Sequence, residues 1–234
     1  MKLRQLFEEA DRTVLAVVLL GCVCLALSMN YASPRFGAEV LERGTDDLEP
    51  VVWHFLGSFL LLGVVPALLW KVLLGRSLRE AGVTAGDARY GWRYLAWTVP
   101  LLVVPLVFLG ARSEGVRSEY PLAAGAGEDA ATFLFFEVVY LLFYAGYEFF
   151  FRGLLTLGLW KRIGALPAVG LSTLVSTALH YGKPEWEVWG VIVVGLVFGW
   201  LAIRTRSVLW PLVIHASIGF FTDLFVVLGP GSLR

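Results

Sequence analysis

Charge is what this sequence has least of. Only 16% of its 234 residues are Asp, Glu, Lys or Arg, 58% are hydrophobic, and the mean hydropathy is +0.73. An average soluble domain carries about 25% charged residues, and so few charges cannot cover the surface of a soluble single-core chain of this length. A soluble enzyme is therefore excluded. Nineteen Lys and Arg balance nineteen Asp and Glu, so no net basic field exists to hold nucleic acid. Cysteine is nearly absent: Cys22 and Cys24 sit two residues apart in one apolar run, which supplies neither a disulfide framework nor a thiolate ligand cluster. Internal repeats and low-complexity runs are lacking. The polar connections 31–50 and 111–129 are too short to be domains, so residues 1–234 read as a single membrane domain.

What the chain does have is long apolar runs. A membrane-crossing helix needs about 20 mostly apolar residues, and the candidate spans are 13–30, 51–74, 93–110, 131–160, 165–182, 187–203 and 208–228. The expected fold is all-α and polytopic, with about seven transmembrane helices and six or eight as the alternatives. The fourth run is too long for one upright crossing, so it must tilt, break or lie partly along the interface. Glu8, Glu9 and Asp11 precede the first run and further spans follow it, which marks 13–30 as a retained helix rather than a signal peptide. With the N-terminus inside, twelve Lys and Arg fall on the inner side and six on the outer side, with Arg152 alone inside a span. That asymmetry favours an N-inside, C-outside arrangement.

Ionisable groups inside a bilayer cost from about 2.5 to more than 10 kcal/mol, so each is a functional candidate by default. Glu148 and Arg152 lie four residues apart in Tyr147-Glu148-Phe149-Phe150-Phe151-Arg152-Gly153, hence on one helix face. Tyr140 and Tyr144 extend that stripe, and Ala145, Gly146 and Gly153 are small enough to let another helix approach closely. The plain alternative is an ion pair that fixes packing. His180 ends the fifth span and His215 lies deeper in the last one. For His180 the alternative is an interfacial residue, the reading given also to His54. Asp223, two turns beyond His215, shares its side of the helix, although a helix-end carboxylate reaching water is the favoured expectation for it. Glu185 and Glu187, after Lys183-Pro184, would cap the next helix.

Measured from the inner ends of their spans at about 1.5 Å per residue, Glu148 lies roughly 18 Å deep, His180 roughly 22 Å and His215 roughly 12 Å. One carboxylate and two imidazoles in a common layer suggest a site. A carboxylate beside an imidazole can deprotonate water, and a second imidazole can hydrogen-bond to a developing oxyanion. Two His and one Glu also form a zinc ligand set, but the H-E-x-x-H spacing is missing and no further acidic residue adjoins either His in sequence.

Several of these residues carry a resemblance. Tyr147-Glu148-Phe149-Phe150-Phe151-Arg152-Gly153, His180 followed by Gly182-Lys183-Pro184 and Glu187, Gly195 and Gly199 ahead of Arg204-Thr205-Arg206-Ser207, and Pro211 before His215 are similar, in order and spacing, to the CPBP family. That family comprises the CAAX prenyl protease and bacteriocin-processing membrane proteins, glutamic-type intramembrane endopeptidases. The similarity covers residues 130–228 as a catalytic core, whereas 1–125 resemble it only in being hydrophobic helices. It implies metal-independent peptide hydrolysis with no cofactor. By position, Glu148 and His180 would activate water, His215 would hold the oxyanion, and Arg152 would orient the glutamate. Tyr147, Glu187 and Asp223 are the supporting positions. Membrane lipids, and a peptide or protein substrate at or in the membrane, with or without a lipid modification, are the implied partners, and a bacterial cytoplasmic membrane the implied location. Three positions depart from the family pattern: Tyr147 stands where a first glutamate is usual, Gly219 where an asparagine is usual, and Ser176 where a phenylalanine is frequent.

Endopeptidase is thus the leading expectation. A catalytically impaired scaffold or regulator that keeps the frame is the alternative, motivated by Tyr147 and Gly219. A transporter with a buried charge relay ranks third, because no two halves of the sequence repeat.

Overall fold

The computed structural model describes residues 11–229, so Lys2, Arg4, Glu8, Glu9 and Arg234 lie outside the described residues. Among those described the fold is helical, with no strand. The long elements are α1 (Arg12–Tyr31), α3 (Leu48–Leu74), α4 (Ala88–Gly110), α6 (Ala130–Ile163), α7 (Ala165–Leu179), α8 (Glu185–Thr205) and α9 (Leu209–Val227). Two short helices, α2 (Pro34–Leu41) and α5 (Glu114–Glu119), occupy the polar connections. Six of the long helices are long and apolar enough to cross a membrane, and α7 is shorter, at 15 residues. The chain is therefore a multi-pass membrane protein.

Local sequence explains where the helices start. Asp11 accepts hydrogen bonds from the Thr13 and Val14 amides at 2.8 and 3.2 Å, and Asp129 from the Ala131 and Thr132 amides at 2.8 and 2.9 Å, each satisfying amides that a helix start leaves open. Within α3 and α4 the backbone widens into π-helical stretches at Phe59–Val64 and Val99–Val103, adjoining Pro66 and containing Pro100 respectively. A proline clashes with the carbonyl one turn back and donates no hydrogen bond, and a wider turn relieves both. No proline explains the third stretch, Phe149–Leu157 in α6. There the Phe151 carbonyl accepts from Thr156 Oγ1 at 2.8 Å and from Ser172 Oγ at 2.9 Å, so side chains satisfy the displaced backbone. The over-long fourth run is thus one 34-residue helix with a widened middle.

The ends of these helices form two opposed groups. At one end Asp11 pairs with Arg162, Asp87 with Arg204 at 2.9 Å, and the Trp210 indole donates to the Ala85 carbonyl at 2.9 Å. At the other end the Ala124 amide donates to the Asp46 carbonyl at 2.7 Å, Lys183 pairs with Glu119, and Gly127 lies against Val227. All seven long helices run between these ends, and residues 11 and 229 lie at opposite ones. Helix α6 lies at the centre. A Cβ on its Gly146 would stand 2.8 Å from the Phe59 Cα, so α6 meets α3 backbone to backbone. Glu148, Phe149, Phe150, Phe151 and Arg152 are all buried there.

Candidate active site

Glu148 is fully buried, and its two oxygens are turned toward different partners. Oε1 lies 2.6 Å from His215 Nδ1 on α9, and Oε2 lies 3.3 Å from Arg152 Nε one turn along α6. The shorter contact has the length of a charge-assisted hydrogen bond. Arg152 is buried as well, with its guanidinium 5.3 Å from the Phe198 ring and 5.8 Å from the Phe151 ring. Glu148 Oε2, Arg152 Nε and Arg152 Nη1 are buried without a hydrogen-bond partner among the described residues, so opposite charge rather than hydrogen bonding offsets their burial. Tyr144 covers the other side of His215, with ring centroids 4.6 Å apart.

His180 follows the last residue of α7, where the chain turns through Gly182 (φ 91°) into α8. Its Nδ1 lies 2.8 Å from the Ser176 carbonyl. A carbonyl only accepts, so Nδ1 carries the proton and the neutral ring has its lone pair on Nε2. That nitrogen lies 3.9 Å from Glu187 Oε1. Tyr120, from the connection before α6, donates to both Glu187 oxygens at 3.0 and 3.2 Å. Burial, reinforced by nearby Tyr140 and Glu187, pushes the Tyr120 hydroxyl well above its usual range, which keeps it protonated as that donor.

The residues singled out from sequence thus fall into two connected groups. Glu148 is joined to His215 and Arg152, while His180 is joined to Glu187. Glu187 lies in the first turn of α8, as a capping role anticipated, and is also the acidic neighbour that neither histidine has in sequence. The side chains of His180, His215 and Glu187 retain 19%, 21% and 16% exposure, whereas Glu148 retains none, so the imidazoles rather than the glutamate face open space. Glu148, His180 and His215 do not gather as a ligand set, and among the described residues no three His, Cys, Asp or Glu side chains do.

Asp223 corrects one expectation: it is fully buried instead of reaching water, because the turn of α9 that carries it packs inside the bundle. Both of its carboxyl oxygens, like Oε1 of Glu137, are buried without a hydrogen-bond partner among the described residues. Glu137 was not singled out, although it sits in the same span as Glu148 and meets the same criterion of a charge in an apolar run. His54 is partly buried, its Nδ1 lying 2.7 Å from the Ala32 carbonyl.

Each of the three departures from the family pattern has a structural counterpart. Tyr147 and Ser176 are hydrogen-bonded to each other, hydroxyl to hydroxyl, at 2.7 Å, and both are buried. Because the Ser176 carbonyl also receives His180, this pair ties α6 to the histidine. At Gly219 a Cβ would stand 2.0 Å from the Tyr144 hydroxyl oxygen, so only glycine admits that phenol. One hydroxyl pair thus bridges α6 and α7, and one phenol fills the volume that a side chain at 219 would need.

Residues 129–221 match the model of the Rce1-like family, described as type II CAAX prenyl endopeptidase Rce1-like. This stretch is roughly two fifths of the chain and contains Glu148, Arg152, His180, Glu187 and His215. The resemblance read from the motifs runs over the same stretch, which is similar to a CAAX protease-like family of membrane endopeptidases. No curated protein and no solved structure matches the chain.

Proposed function

Taking the Rce1-like character of residues 129–221 as premise, we propose that the protein is a membrane-embedded endopeptidase that hydrolyses a peptide bond without a metal, using the two imidazole groups as its reacting pair. The observation that carries this reading is the 2.6 Å bond between the fully buried Glu148 and His215. Glu148, shielded from solvent and held by Arg152, fits a role in fixing the His215 ring and stabilising its protonated form. His215 then offers Nε2–H to the oxyanion that develops on the substrate carbonyl. His180, with Nδ1 committed to Ser176, offers the Nε2 lone pair to a water molecule, and Glu187 stabilises the imidazolium that results. The water proton passes to His180, hydroxide adds to the carbonyl carbon, and His180 returns the proton to the departing amine as the C–N bond breaks. The substrate is a peptide or protein segment at or in the membrane.

Reconstituted protein incubated with a mixed peptide set should generate new peptide N-termini detectable by mass spectrometry. His180→Ala and His215→Ala should each slow their formation by about 100-fold or more, the usual effect of removing one base or one oxyanion donor. Unaltered cleavage by His180→Ala would sink the assignment of the base.

A second reading is a scaffold with the same frame and no turnover. The Tyr147–Ser176 bond favours it, since a neutral hydroxyl occupies the usual acidic position. It requires that His180→Ala be tolerated at unchanged protein abundance.

A further inference from the structure

At the end of the bundle where α1 begins, opposite the end that carries His180 and Glu187, a cavity of about 250 Å³ is lined by Arg76, Arg79, Lys161, Arg162 and Arg206 together with a single acidic residue, Glu80. Five cations around one hollow repel one another, and the local acids answer only two of them: Glu80 lies 3.5 Å from Arg76, and Asp11 pairs with Arg162. Among the described residues Arg79, Lys161 and Arg206 have no acidic partner. The walls are Trp70 and Trp160, residues of the kind that sit at headgroup level. Arg206 is aimed by its backbone, which adopts a left-handed conformation (φ 58°) where α8 ends, and its guanidinium lies 3.9 Å from the Trp160 ring. The ends of three membrane-crossing helices, α3, α6 and α8, bring these residues together.

We propose that this cavity binds a phosphate-bearing anion, and that the anion is the headgroup of an acidic phospholipid. Guanidinium groups match phosphate oxygens in shape and charge, and basic pockets between transmembrane helices suit acidic headgroups. A lipid arrives at this depth with its acyl chains beside the apolar helices, an anchorage that a soluble phosphate lacks.

The test is native mass spectrometry of the full chain in detergent, titrated with phosphatidylglycerol or phosphatidylcholine, alongside thermal unfolding in inorganic phosphate. The expected result is one retained phosphatidylglycerol adduct and none of phosphatidylcholine. Arg79→Gln/Lys161→Gln should weaken the adduct about thirtyfold, since each basic residue near an acidic lipid contributes roughly fivefold. Arg206→Gln should weaken it independently. Arg89→Gln/Arg93→Gln, which removes two cations from α4 outside the cavity, should leave it intact. Unfolding temperatures of all variants in phosphatidylcholine nanodiscs should match the parent, so that lost binding is separated from lost fold. Stabilisation by inorganic phosphate alone, abolished in Arg79→Gln/Lys161→Gln, would assign the same site to a soluble anion and overturn the lipid source. Equal retention of both lipids, or equal loss in Arg89→Gln/Arg93→Gln, would overturn the site itself.

Discussion

Gly219 and Tyr144 share one volume. The Tyr144 ring lies on His215 and its hydroxyl occupies the space a Cβ at 219 would need, at 2.0 Å. Gly219→Ala should therefore force the phenol off its position, with a destabilisation of about 1–3 kcal/mol typical of overpacking. Tyr144→Phe should not relieve it, because the ring carbon Cζ itself lies 2.7 Å from that Cβ, whereas Tyr144→Leu combined with Gly219→Ala should recover part of the loss in thermal unfolding. Removal of Glu148 belongs to the same scale. Glu148→Ala would leave Arg152 buried without its counter-charge, and a loss of about 3–5 kcal/mol follows from breaking such a pair. Glu148→Leu/Arg152→Leu, which removes both charges, should fold better than Glu148→Ala alone; denaturant unfolding in detergent distinguishes the two. If the double variant were the less stable, the pair would be contributing to the fold beyond mutual neutralisation.

At the scale of helices, the apolar runs were legible because hydropathy alone marks a crossing, and the observed helices keep to the expected spans within a few residues. The gaps have physical causes. Helix α4 begins at Ala88, before the apolar run at 93, because Asp87 caps it and accepts from the Tyr90 amide at 3.0 Å. The π-helical stretch at Phe149–Leu157 was not legible: it depends on Ser172 of another helix reaching the Phe151 carbonyl. Widening also changes which face later residues present, so a count of i and i+4 positions identifies Glu148 and Arg152 but not their partners. Glu148, Arg152 and His215 were legible since charge and imidazole are costly in an apolar run, whereas the burial of Asp223 was not, because it depends on how the last turns of α9 pack. Tyr120, Ser176 and the Tyr144–Gly219 match were not, because ordinary residues become informative only once helices are docked.

The Tyr147–Ser176 hydroxyl pair joins α6 to α7, so Tyr147→Phe and Ser176→Ala should each destabilise by about 1–3 kcal/mol by orphaning a buried group. The double variant should cost less than the sum of the two; strict additivity in unfolding experiments would show that the bond is energetically silent. At the opposite end, the Tyr90 amide and then Arg204 hold the Asp87 carboxyl below its usual range. A depressed folded value means that stability is present above the unfolded carboxyl's value, near pH 4, and is lost as pH falls through the folded one. The unfolding difference between the parent and Asp87→Asn should thus persist at neutral pH and close in strong acid. A difference that grows on acidification would contradict the assignment.

For the whole molecule, low charge identifies the solvent and the few exceptions identify the site. Residues 11 and 229 lie at opposite ends of the bundle, and the basic residues crowd the end where α1 begins. We accordingly propose that the N-terminal end faces the cytoplasm. A fluorescent reporter fused at the N-terminus and an exported phosphatase fused at the C-terminus should both be active; reporters active on a single side would require an even number of crossings. His180 lies toward the other end, with Glu187 and Tyr120 beside it, whereas His215 lies six residues into α9 from the basic end.

The central claim is that Glu148 and His215 act as one catalytic unit. The most direct measurement is the cleavage rate of reconstituted parent, Glu148→Gln, His215→Ala and the double variant on one peptide substrate, at matched abundance and unfolding temperature. The double variant should be no slower than the His215→Ala single variant, because residues acting as a unit are strongly non-additive. Multiplicative losses, or full activity in Glu148→Gln, would contradict it.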